Sequence, residues 1–152
     1  MTPAQLSALK ADIQANYAAD LANGRYNFIA EAYNVLATPD FYVWRTSMSS
    51  AELKNNIVWT ELVAATQGKR DVCTILLNEG SVNPSDDNVR AAFVEIFGAG
   101  GTSTSQLAAA AKRKANKVEK MFAVGTGTEG DPAKLVFEGT VSGADVIFAM
   151  GT

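Results

Sequence analysis

With 152 residues, 47% of them apolar and 19% charged, the chain has the balance of a globular domain with a true core and not of a disordered segment. A net charge of −3 and a pI near 4.9 exclude a protein that is basic over its whole surface, so any nucleic-acid contact is expected to be local. The lack of histidine excludes a Ser-His-Asp triad and the usual zinc ligands; the single Cys73, in the apolar run "DVCTILL", excludes an intramolecular disulfide and reads as a buried thiol.

The opening stretch "MTPAQLSALKADIQ" carries charges, and no segment approaches about 18 apolar residues, so a soluble protein made in a reducing cytosol, without a membrane partner, is expected. The same stretch marks a first helix. Thr2 is placed to cap it, Pro3 suits the first helical position, and Gln5 completes a capping box. Leu6, Leu9, Ile13 and Tyr17 then recur on one face. A second helix is predicted from about Tyr26 to Leu36, with Phe28, Ala32 and Val35 or Leu36 facing inward, and Pro39 stops it.

"FYVWRTSMSSAEL" follows. Phe41, Val43 and Arg45 alternate with Tyr42, Trp44 and Thr46, which predicts a short extended segment. Ser49 and Glu52 form a second capping box, opening a short helix to about Asn56. "IVWTELVAAT" is ambiguous between strand and helix. "GKRDVCTILLNEG" reads as a helix with Val72, Ile75, Leu76 and Glu79 spaced over its turns and Gly80 at its C-terminal cap. In "NPSDDNVRAAFVEIFGAGG" the expected cap is Ser85, with Asp86 and Asp87 in the dipole-favoured first turn, and Val89, Phe93, Ile96 and Phe97 along the apolar stripe up to Gly98.

A long helix is predicted from about Ser105 to Val124. Leu107, Ala111, Ala115, Val118 and Phe122 fall on one face, while Arg113, Lys117 and Lys120 fall on the opposite one. The glycines of "GTGTEGDP" follow this helix, whereas phosphate loops place glycines before a helix N-terminus; Glu129 and Asp131 would also repel a phosphate. A C-cap and a mobile loop are expected instead. The basic face has three readings: a solvated surface, a contact with an acidic patch on a neighbouring subunit, or a contact with passing DNA. Beyond the loop, "AKLVFEGTVS" predicts a strand and "SGADVIFAM" a last short helix or an extended tail.

The expected architecture is therefore mostly α: a single-domain helical bundle, residues 1–152, of six to seven helices with one or two short extended segments. Residues 140–152 are expected to serve as a subunit-contacting tail, mobile before assembly, because Val146, Ile147, Phe148 and Met150 crowd large apolar groups at a terminus behind a glycine-bearing lead. The alternative is that they close the domain's own core. Tyr42 and Trp44, with Arg45, are the other expected contact, being anchor types on an exposed strand; here the alternative is burial of both aromatics. Glu31, Glu61, Glu95 and Asp145 are scattered over different segments and define no acid–base pair, so no catalytic, cofactor or metal residue is assigned.

Three stretches, "FYVWRTSMS", "NPSDDNVRAAFVEIFGAG" and "AKRKANKVEKMFAVGTGTEGDPAKLVFEGTVSGADV", together with "TPAQLSALKADI", resemble a set of tailed-phage and prophage virion structural proteins. The resemblance implies a non-enzymatic component of the particle, made in the bacterial cytoplasm. By fold-level analogy a small helical domain with reaching loops suits a head–tail connector ring, bound to copies of itself and to portal or tail proteins. The alternative within that class is a tail-side or fibre-attachment component.

Overall fold

The computed structural model describes residues 1–151. Ten helices and four short strands lie among them: α1 (Pro3–Asn16), α2 (Ala18–Ala22), α3 (Tyr26–Asn34), β1 (Tyr42–Trp44), β2 (Met48–Ser49), α4 (Ser50–Asn55), α5 (Trp59–Ala64), α6 (Gln67–Asn78), β3 (Ser81–Val82), α7 (Asp87–Phe97), α8 (Thr102–Ala110), β4 (Lys112–Lys114), α9 (Lys117–Phe122) and α10 (Gly143–Met150). The protein is mostly α, with more and shorter helices than the six or seven expected. The chain folds into two compact units. One combines Met1–Tyr42 with the chain from Lys114 onward; the other is Val43–Arg113.

The first unit is built on α1, α3, α9 and α10. Thr2 and Gln5 form the expected capping box, and Leu9 and Ile13 are fully buried with Ile29, Tyr33, Val118 and Val146. Helix α3 turns a different face inward from the one predicted. Ile29, Ala30 and Tyr33 are buried, whereas Phe28, Val35 and Leu36 are exposed. The reason lies just past its end: the helix stops at Asn34, and the chain runs on extended against residues 115–117. The Lys117 amide donates to the Val35 carbonyl (3.0 Å), the Ala37 amide to Ala115 (3.0 Å), and the Ala115 amide to Phe41 (2.8 Å).

That pairing also breaks the predicted long helix. Alanine-rich sequence favours helix locally, but α8 ends at Ala110, residues 112–114 are strand, and α9 begins again at Lys117. Asn116 caps the new start, accepting from the Glu119 amide (2.8 Å), while the Glu119 carboxylate accepts from the Asn116 amide (3.1 Å). The same two side chains hold the later chain. Asn116 donates to the Gly139 carbonyl (2.8 Å), and Glu119 accepts from the Gly139 amide (3.0 Å). Tied in this way, "AKLVFEGTVS" is not the predicted strand; it makes isolated bridge contacts at Ala133, whose amide donates to the Tyr42 carbonyl (2.9 Å), and at Lys134, which pairs with Val124.

The glycine loop is held rather than free. The Gly127 carbonyl accepts from the Tyr42 amide (2.8 Å), and Gly127 has φ +68° with a Cβ there lying 2.0 Å from the Phe41 ring, so glycine is required. The C-terminal segment takes the first of its two expected forms, a short helix: Ser142 and Asp145 form a capping box, and Val146 and Ala149 are buried in the core of the unit. Gly143 lets α10 approach α3, since a Cβ would lie 2.0 Å from the Asn27 side-chain oxygen.

The second unit gathers α4 to α8 around Met48, Leu53, Ile57, Cys73, Phe93, Ile96 and Leu107. Strands β2 and β3 pair antiparallel, Met48 opposite Val82 and Ser49 opposite Ser81. The ambiguous "WTELVA" is helix, and Gly98 ends α7 with φ +81°. The cap of α7 is Asp86, whose side chain accepts from the Asn88 amide (2.8 Å); Ser85 instead bonds the Asn83 side chain. Helix α8 borrows its cap. Gly101 offers no side chain, and the Glu61 carboxylate on α5 accepts from the Thr102 (2.8 Å) and Ser103 (2.9 Å) amides.

Candidate functional site

The basic residues read as one stripe are divided by the fold. Arg113 lies half-buried in β4 of the second unit, while Lys117 and Lys120 sit one turn apart on α9 of the first. Those two lysines border an open cleft of about 390 Å3 in the first unit. Asp12 and Asn16 reach it from α1, Tyr17 from the end of that helix, Tyr33 from α3, and Met121 from α9; Ala37 and Thr38 complete the wall.

The cleft's polar groups are arranged in order. The Tyr33 hydroxyl donates to one Asp12 oxygen, and the Asn16 amide donates to the other at 3.0 Å. Burial first, and then the bond to Asp12, push the Tyr33 hydroxyl far above its ordinary value, so it stays a donor. Burial also raises Tyr17, whose ring centroid lies 5.4 Å from that of Tyr33. Lys120 carries its ammonium 5.5 Å from the Phe41 ring centroid. Among the described residues neither Lys117 nor Lys120 is in an ion pair.

The aromatic segment is half-buried, with Tyr42, Trp44 and Arg45 each partly exposed. Trp44 packs partly buried against the core of the second unit, with the Arg90 guanidinium 4.3 Å above its ring. Arg45 is engaged locally, bridging Glu52 at 2.7 Å and donating to the Ala110 carbonyl at 3.1 Å. The Ser49 amide, with Arg45 beside it, draws Glu52 down to about 2. Tyr42 is half-buried in the first unit, its backbone bonded to Gly127 and Ala133. At the other expected contact, Val146 is fully buried and Met150 partly so, leaving Ile147 and Phe148 on the outside of α10; Phe148 is 71% exposed.

The scattered carboxylates stay apart in role. Glu61 caps α8, Glu95 pairs with Lys69 (3.6 Å), and Asp145 caps α10. No group of three potential ligands fit for a metal occurs among the described residues, and no helix there is long and apolar enough to cross a membrane. Sequence reading missed Asp12, Asn16, Tyr17 and Tyr33. Asp12 and Asn16 are spaced i, i+4 on the polar side of α1, a legible pair, but nothing local announces that Tyr33 reaches it from another helix. Comparison of the chain with family models, curated proteins and solved structures finds no match to any of them.

Proposed function

We propose that the protein is a non-enzymatic structural component of a tailed-phage particle, a ring-forming head–tail connector that binds neighbouring copies of itself. The structural observation that supports this reading is the two-sidedness of α10. Its inner side, Val146 and Ala149, is spent on the core, while its outer side leaves Phe148, large and apolar, 71% exposed beside the partly covered Ile147. Covering a group such as Phe148 is worth roughly 1.5–3 kcal/mol, a gain open to a ring in which each copy covers its neighbour. The likeness of the aromatic, α7 and basic stretches to virion proteins supplies the setting, with portal or tail proteins as further partners.

Light scattering on the purified protein, with and without Phe148→Asp, tests it. The native chain should form closed oligomers and the variant a monomer of unchanged helix content. Labelled protein in imaged particles should lie at the neck; density at the tail tip or fibres would favour the fibre-attachment alternative. A native chain that stays monomeric and is missing from particles overturns the reading.

A further inference from the structure

We propose that the cleft between α1, α3 and α9 is a binding site for a small organic anion, a carboxylate or phosphate group carried on an apolar or aromatic body. Its volume of about 390 Å3 suits such a molecule, since small-ligand sites occupy about 300–1,000 Å3. The charge pattern sets the ligand's sign. Lys117 and Lys120 face the cleft with no ion-pair partner among the described residues. The one carboxylate there, Asp12, has both oxygens taken up, by the Tyr33 hydroxyl and the Asn16 amide. An incoming anion therefore meets two ammonium groups against one carboxylate, whose charge remains but whose oxygens are already bonded to Tyr33 and Asn16. Lysine serves such a role as a point charge, without the geometric demand of a guanidinium.

The remaining wall sets the ligand's body. Tyr17, half-buried, and Met121 from α9 offer an aromatic ring and a pliant thioether beside the lysines. A bare inorganic ion would leave that surface wet, whereas a ring or short alkyl group attached to the anion would cover it. This inference stands apart from the proposed role in the particle and survives its failure.

Amide-shift mapping on the isotope-labelled full chain tests it, with four probes: phenyl phosphate, phenylacetate, inorganic phosphate and benzyl alcohol. The two aromatic anions should saturate, perturb Tyr17, Lys117 and Lys120, and bind more tightly than either the bare ion or the neutral ring. Whichever of the two binds better names the head group. The double variant Lys117→Gln with Lys120→Gln should raise Kd by about tenfold or more. Should that variant not fold, salt decides on the native chain, because an anion held by two ammonium groups must weaken steeply as ionic strength rises. Unsaturable binding, equal affinity in the folded double variant, salt-insensitive binding, or inorganic phosphate or benzyl alcohol matching the aromatic anions would each overturn the proposal.

Discussion

Tyr33 joins the core to the cleft: its ring lies in the packed interior of the first unit while its hydroxyl donates to Asp12. Because burial and that bond raise its proton affinity in the folded state, it ties stability to alkaline pH. Below the ordinary tyrosine value of 10.0 the hydroxyl is protonated in both the folded and unfolded chain, and its contribution is fully present. Above that value the unfolded chain releases the proton while the folded chain keeps it, so stability falls as pH rises, with Tyr17 acting in the same direction. Urea midpoints measured from neutral to alkaline pH should therefore drop, and Tyr33→Phe should flatten that drop while lowering stability at neutral pH, where Asp12 loses one of its two donors. An unchanged alkaline slope in the variant would show that the hydroxyl is not the linked group. At this scale the sequence was most readable where a residue repeats on a helix that exists: Leu9, Ile13, Phe93 and Ile96 are buried as their spacing suggests. Phe97 and Phe122 are only partly covered, and Phe28 is exposed under Arg25, because helix ends and partners rotate the faces that periodicity alone lays out.

Capping chemistry is what punctuates the elements. Thr2 with Gln5 and Ser49 with Glu52 follow the familiar spacing and were legible; Asn116 with Glu119 and Ser142 with Asp145 use the same device with less usual residues. The third box lay hidden inside a run whose apolar residues keep helical spacing straight through it. Local propensity favours a continuous helix there, and the backbone bonds from Ala37 and Ala115, made to chain many residues away, override it. Asn116 and Ser142 thus offer a comparison. Losing a cap alone costs about 0.5–2 kcal/mol, the expected effect of Ser142→Ala. Asn116→Ala loses a cap and also the bond to the Gly139 carbonyl, worth about 0.5–1.5 kcal/mol more. It further loosens Glu119, a carboxylate only 2% exposed that itself receives the Gly139 amide. Chemical denaturation should rank Asn116→Ala as the more costly of the two. Equal costs would mean that the link to residue 139 adds nothing and that α9 is set by its helix alone.

The chain's division into units was not legible, because no proline- or glycine-rich linker marks residue 43 or residue 113, and the basic run at 112–114 reads as part of a helix; the crossings fall within short strands. Two separate apolar clusters show it instead, and the second is made wholly from residues 48–111. The inserted segment also begins and ends at one place: the Arg45 amide donates to the Ala111 carbonyl at 2.8 Å, and the Arg45 side chain to Ala110. A segment with its own core and joined ends has what independent folding requires. Its small size sets the margin, since a core below about 70–80 residues rarely supplies more than about 3–5 kcal/mol. A chain of residues 43–113 alone should therefore show helical circular dichroism and a cooperative but low thermal transition. Phe93→Ala, which empties a buried site at a cost of roughly 3–5 kcal/mol, should abolish that transition in the fragment. In the full chain the same substitution should speed hydrogen exchange in α6 and α7 and leave α1, α3 and α10 protected, because their apolar partners lie in the other cluster. A fragment without helix, or exchange that rises equally throughout the full chain, would mean that the two clusters stand or fall as a single cooperative body.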